Sequence, residues 1–237
     1  MISIINKYVK YLLYITGGVI VASLLFRKGG NKLINPKGKK ILFVGDSHTA
    51  YTKQPIRINP SQINGEGWQS YLARIYGFTE INISVGGRAS KYLMDKFLTY
   101  LETHAKPDVA FFYVGANDAF SPVSNKQAIK NIQFMIDTCN KKGIIPVVIT
   151  GYNTRKAVVN NPRLKGFTNV YGTFTQKNLW DMAENRYQQQ LMFSELKNAI
   201  VVPMFNDVLP SDAADGLHLG LAKQQQFAKF IAPYVFA

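Results

Sequence analysis

Along residues 40–237, short apolar runs alternate with stretches of helical period. Lys40–Val44, Glu80–Ile83, Val109–Val114, Ile144–Thr150 and Ala199–Val202 are dominated by Ile, Val, Leu and Phe. Such runs suit strands covered on both faces in a parallel sheet. Between them, apolar residues recur every three or four positions in Trp68–Tyr76, Lys91–Thr103, Lys126–Lys142, Gln176–Lys197 and Leu221–Tyr234, which predicts helices. Strand-helix alternation of this kind predicts a three-layer α/β domain. Two segments break the alternation: Thr52–Gly65 is polar and turn-rich, and Tyr152–Thr175 mixes Asn, Gly and aromatic residues without a period. Loops of that length are often functional, and both are candidates for the border of a cleft beyond the strand ends.

The amino-terminal pattern is different. Tyr11–Phe26 carries no charge, and with Tyr8 and Val9 it reaches about the length of a short membrane span. Lys7 and Lys10 precede it; Arg27 and Lys28 close it. A cleaved signal peptide is the rival, but Val21-Ala22-Ser23 runs on into Leu24-Leu25-Phe26, a poor cleavage pattern. The expected organisation is therefore a membrane anchor over residues 1–28, a Gly-, Asn-, Pro- and Lys-containing linker over 29–39, and one domain over 40–237.

Charge changes the picture once it is located. The net charge is +14, yet eight of the 28 basic residues lie within the first forty positions, where there is no Asp or Glu. A basic excess beside an apolar segment points to anionic lipid, and no nucleic-acid partner is expected. The single cysteine, Cys139, excludes an intrachain disulfide and sits in a helical pattern as a small core residue. No His, Cys and Asp cluster has metal-ligand spacing and no Gly-rich phosphate loop is present, so no cofactor is expected.

Candidate chemistry gathers at strand ends. Gly45-Asp46-Ser47-His48 follows the first strand, the place where open α/β sheets bind ligands. Ser47 there is either a nucleophile or, with Asp46, part of a helix cap. Asp215-Gly216-Leu217-His218 precedes the last helix. An Asp three residues before a His can orient the imidazole, and His is suited to proton transfer near neutrality. Gly86-Gly87 after the second strand offers backbone N–H groups, and Gly115-Ala116-Asn117-Asp118 after the third offers a side-chain amide. Backbone and amide donors of this kind can form an oxyanion hole, and each block alone is also ordinary turn chemistry.

In that order the blocks Gly45-Asp46-Ser47, Gly87, Gly115-x-Asn117-Asp118 and Asp215-x-x-His218 resemble the SGNH hydrolases, the superfamily of GDSL esterases and lipases. The resemblance implies a flavodoxin-like sandwich around a five-stranded parallel sheet. It implies Ser47 as nucleophile, His218 as base and Asp215 as its orienter. The oxyanion hole would comprise the Ser47 N–H, the Gly87 N–H and the Asn117 side chain, with Asp46 and Asp118 structural. The second block departs from the common N-x-G-x-x-G spacing, reading Asn82-Ile83-Ser84-Val85-Gly86-Gly87, so Gly86 also stands near the donor position. His48 is read as a cleft-wall residue and His104 has no role.

The function expected from the resemblance is a membrane-anchored serine ester hydrolase. It would remove short acyl groups, acetyl above all, from a carbohydrate, a cell-wall polysaccharide or peptidoglycan. An acyltransferase using the same triad is the alternative, and a non-catalytic surface protein on this fold is a third. The substrate class places the domain outside the cytoplasm, whereas six basic residues after the span favour the inside by charge count.

Overall fold

The computed structural model describes residues 33–50, 67–120, 124–158, 168–169, 172–173, 176–213 and 218–237. The anchor expected over residues 1–28, the loop Thr52–Gly65, much of Tyr152–Thr175, and Asp215 lie outside the described residues. Among those described, no helix is long and apolar enough to cross a membrane.

Among the described residues there are seven strands: β1 (Lys40–Gly45), β2 (Thr79–Asn82), β3 (Val109–Tyr113), β4 (Ile145–Ile149), β5 (Thr168–Asn169), β6 (Gly172–Thr173) and β7 (Ile200–Val202). Their helices are α1 (Ser47–Ala50), α2 (Trp68–Tyr76), α3 (Ser90–Thr103), α4 (Asn125–Lys141), α5 (Thr154–Val158), α6 (Gln176–Leu191) and α7 (Leu221–Val235). The main sheet has five strands in the order β2-β1-β3-β4-β7, every pair parallel, and β5 and β6 form a separate antiparallel pair. Successive side chains of a strand face opposite sides. Ile41, Phe43, Phe111 and Ile149 accordingly pack on one face with Trp68 and Leu72 of α2 and Phe227 and Ile231 of α7. Leu42, Val44, Phe112 and Val148 pack on the other with Phe97 of α3 and Ile132 and Cys139 of α4. Burial on both faces is why these strands read as apolar runs and not as alternation. The Cys139 thiol is fully buried, which pushes its pKa up to about 12 and makes it inert, in keeping with a packing role.

Two boundaries differ from expectation. The helix predicted over Gln176–Lys197 is α-helical only to Leu191; a 3-10 turn follows at Met192–Glu195. The tighter turn drives Phe193 into the core, and Asn198 then takes a left-handed φ of 59° to bring the chain into β7. The linker expected to reach residue 39 ends earlier. Ile34 is buried, its N–H donates to the Val235 carbonyl and its carbonyl accepts from Ala237 N–H, so the folded unit begins at Ile34. This has a measurable consequence. A fragment starting at Lys37 is expected to be less stable than one starting at Leu33 by about 2–4 kcal/mol, from one buried Ile and two backbone hydrogen bonds. Urea titration of the two fragments checks it; equal midpoints would show that the Ile34 contact carries no stability.

Candidate functional site

The site is assembled from loops at the carboxyl ends of β1, β2 and β3 and from the turn before α7. After β1 the chain turns at once into α1. Asp46 caps that helix: its Oδ1 accepts from His48 N–H at 3.0 Å, and its carbonyl accepts from Thr49 and Ala50 N–H at 3.1 and 2.9 Å. The capping role and the exposure of a serine on the turn thus coexist, on neighbouring residues. Gly45 is required for room: a Cβ there would lie 2.5 Å from Thr49 Oγ1 and 2.9 Å from the Tyr113 carbonyl.

Asp46 also joins two loops. Its Oδ2 accepts from Ala116 N–H at 3.2 Å, tying the Ser47 turn to the segment that carries Asn117. The carboxylate is fully buried, and burial raises its pKa to about 6, partly offset by the positive charge of Arg186. Asp118 does related work on the neighbouring loop. It accepts from Ser90 N–H at 2.8 Å and Ser90 Oγ–H at 2.6 Å, and so holds the start of α3, where the Gly86–Ala89 turn ends.

That turn lies against Ser47. A Cβ on Gly86 would be 3.6 Å from Ser47 Cβ, whereas Gly87 takes a left-handed φ of +72° with open space beside it. Asn117 is 9% exposed, and its amide donates to the Arg88 carbonyl at 3.2 Å. One of its two N–H groups is thereby used to hold the Gly86–Arg88 turn.

His218 completes the cluster. Its Nε2 is 2.9 Å from Ser47 Oγ, within hydrogen-bond distance, and in the tautomer with the proton on Nδ1 it is the acceptor for the serine O–H. The His218 turn is fixed from both sides. Ala213 and Leu219 form an antiparallel bridge, and Gly220 N–H donates to the Asp212 carbonyl at 2.8 Å. The described structure therefore brings Ser47, Gly86, Gly87, Asn117 and His218 to one place; Asp215 lies outside the described residues. His48 points to the rear wall. Its ring stacks on Tyr113, meets Tyr152 edge-on with the hydroxyl 3.3 Å from Nδ1, and lies 4.9 Å from the His218 ring. His104 is remote and exposed, stacked on Tyr100.

One contributor has no counterpart among the residues singled out from sequence. Arg186 of α6 is 2% exposed and donates to the Val114 carbonyl at 3.3 Å, behind the Asn117 loop. A signal does exist: Met182, Ala183, Arg186, Gln189 and Gln190 form the inward stripe of α6, with charge and amides where apolar residues are usual.

A serine hydroxyl on a strand-end turn, hydrogen-bonded to an imidazole and flanked by glycine N–H groups and an amide, is equipped for acyl transfer. The comparisons agree in kind. The model of the GDSL-like lipase/acylhydrolase family matches residues 43–223. A protein of Parabacteroides merdae described as a GDSL-like lipase aligns with a TM-score of 0.62 at 17% identity, over 86% of this chain and 98% of its own. Axe2, an acetylxylan esterase from Geobacillus stearothermophilus, in a catalytic-mutant form, aligns at 0.60 and 15% identity, over 85% and 96%. TesA aligns at 0.56 and 20% identity, over 83% and 97%. A search of curated proteins returns no match. The family match spans all the strand-end blocks that converge on Ser47, and the chain belongs to the GDSL-like lipase/acylhydrolase family, as a serine esterase.

Proposed function

We propose that Ser47, His218 and Asp215 form the catalytic triad of an esterase that removes acetyl or similarly short acyl groups from a carbohydrate. The carrying observation is the 2.9 Å contact between Ser47 Oγ and His218 Nε2. His218 takes the Ser47 proton as Oγ attacks the ester carbonyl, and Asp215 orients and stabilises the resulting imidazolium. The tetrahedral oxyanion is held by the Ser47 and Gly87 N–H groups and the Asn117 amide. His218 returns its proton to the departing alcohol, which leaves the acyl-enzyme. Water, activated by the same imidazole, then releases the acid and frees Ser47.

A polyhydroxylated alcohol is the leaving group this reading expects. Beyond the carboxyl ends of β4 and β7 lies an open groove with a mixed lining, Asn153, Lys156, Asn206 and Asp207 beside Val208 and Leu209. Axe2, which shares the fold, is named as an acetylxylan esterase. Activity on p-nitrophenyl acetate and on acetylated oligosaccharides is expected to exceed activity on longer esters. A higher kcat/KM for a twelve-carbon ester than for acetate would overturn the short-acyl assignment.

The proposal includes residues 8–28 as a membrane anchor, with the domain on the outer side, where polysaccharide esters are found. Its support is the uncharged Tyr11–Phe26 run with flanking basic residues. The full-length protein is expected to stay with salt-washed membranes and to be degraded by protease added to intact cells. Recovery in the soluble fraction would remove the anchor, and protection from protease would reverse the orientation.

A further inference from the structure

The Arg186 guanidinium is a buried charge, and an apolar side chain would fill the same space without the cost of desolvation. Contacts of the guanidinium offset part of that cost, while its Nη2 is buried without a hydrogen-bond partner. The Nη1 group donates to the Val114 carbonyl at 3.3 Å and to Gln189 Oε1, and the guanidinium carbon lies 5.6 Å from the centre of the Phe193 ring. Burial disfavours its charged form, which the neighbouring carboxyl groups of Asp46 and Asp118 favour in turn. Nη1 also occupies the space beside Gly115, only 2.7 Å from where a Cβ would stand, so the guanidinium presses directly on the loop leading to Asn117.

We propose that Arg186 is a positioning residue of the esterase: bonded to the Val114 carbonyl and packed against Gly115, it seats the loop that Ala116 N–H ties to Asp46, and so holds the Ser47 turn and the Asn117 loop in register. This rests on the catalytic roles proposed above for Ser47 and Asn117. An ionised Asp46 accepts two N–H bonds, from His48 at 3.0 Å and from Ala116 at 3.2 Å. Once protonated, one of its oxygens becomes a donor and opposes an N–H, so one tie is lost. The groups bearing on Asp46 are Arg186 from α6, His218 from the turn before α7, Tyr113 from β3, and the two N–H donors. Of these, Arg186 is the largest influence favouring the carboxylate. Since the Asp46 pKa lies near 6, protonation of Asp46 falls on the acid side of the activity profile. Without Arg186, Asp46 stays protonated to higher pH.

The test is the pH profile of kcat and KM on p-nitrophenyl acetate for the full-length protein in detergent, with Arg186→Met and Arg186→Lys. Arg186→Met is expected to move the acid-side midpoint upward by about one unit or more, the usual size for loss of an opposite charge nearby. Its kcat near neutrality should fall about tenfold or more and recover partly as the pH rises, while KM changes little. Arg186→Lys should stay closer to wild type in midpoint. An unmoved midpoint in Arg186→Met overturns the proposal. If Arg186→Met does not fold, the double variant Arg186→Met/Asp46→Asn decides. Removing both charges is expected to restore folding, because the single variant must either bury an unpaired carboxylate or take up a proton there; a double variant no more stable than the single overturns the proposal. Failure of the catalytic assignment is separate: it would appear as wild-type turnover in Ser47→Ala, and the stability comparison would still report on the Asp46 and Arg186 pair.

Discussion

Ser47→Ala is expected to lower kcat by about four to six orders of magnitude and to abolish covalent labelling by a fluorophosphonate, with the fold intact. Ser47 is part of a one-turn helix whose cap is Asp46 and not Ser47, so the bond that alanine would break is the one to His218 and not a helix cap. His218→Ala should cost a comparable amount, because the hydroxyl 2.9 Å away then has no base. The informative variant is the double one. Nucleophile and base act as a unit, so Ser47→Ala/His218→Ala should be no slower than either single variant. Asp215→Asn should lower kcat by about 10⁴ with little change in KM, through the wrong tautomer and the lost charge. Labelling or wild-type turnover in Ser47→Ala would remove the proposed nucleophile, and multiplicative losses in the double variant would mean that Ser47 and His218 serve different steps.

The second large effect is expected at Gly115, where a single methyl group should damage both stability and catalysis. Gly115 has φ +107°, a conformation in which an L side chain is strained. A Cβ there would meet Gln189 Oε1 at 2.6 Å and Arg186 Nη1 at 2.7 Å, both in buried side chains. Strain of about 1–3 kcal/mol and overpacking of about 1–3 kcal/mol act together. That is a large part of the total stability of an ordinary domain. What survives folding should be slow, because relief of the clash displaces the loop that carries Asn117, and one lost oxyanion donor costs about 10²–10³ in kcat. Gly87→Ala provides the contrast. Its φ of +72° is also left-handed, but nothing stands within 4 Å of the added methyl, so only the strain applies. Urea midpoints of the two variants check the ranking; a Gly115→Ala protein as stable as Gly87→Ala would mean that the Arg186 and Gln189 seat yields readily.

The sheet was legible because its strands are buried on both sides and end in blocks of small polar residues. Lys40, Val109 and Ile200 begin or nearly begin the strands expected there, and Trp68–Tyr76 is the helix its apolar spacing predicts. Ser47 and His218, 171 positions apart, could be paired from sequence only through a resemblance, because no periodicity connects a strand end to a distant turn. Ile34 was illegible for a different reason: a lone isoleucine among Asn, Pro and Lys has no pattern, and only the end of α7 gives it a partner. Arg186 lies in a helix that reads as polar almost throughout. Its inward orientation follows from Met182 and Ala183 one turn earlier, a stripe too short to stand out against QKNLWDMAENRYQQQL. The end of that helix depends on the room Phe193 finds against α3 and α4, which is a property of the packed layers and not of the local chain.

The bridge between Ile34 and Phe236 gives the domain a polarity with a practical use. All five strands of the main sheet run the same way, and their carboxyl ends carry the serine turn and its partners. The Ile34 to Lys39 segment leads into the amino end of β1, and α7 finishes beside it. Both ends of the described domain therefore emerge at the pole away from the cleft. A surface, a bead or a fused protein attached at either end leaves the mouth of the site facing outward. A protein attached in this way is like a brush held by its handle, its open face accessible while the chain end stays fixed. The same closeness of the two ends makes the domain a good subject for circular permutation, with a short peptide joining Ala237 to Leu33 and new ends opened elsewhere on the surface.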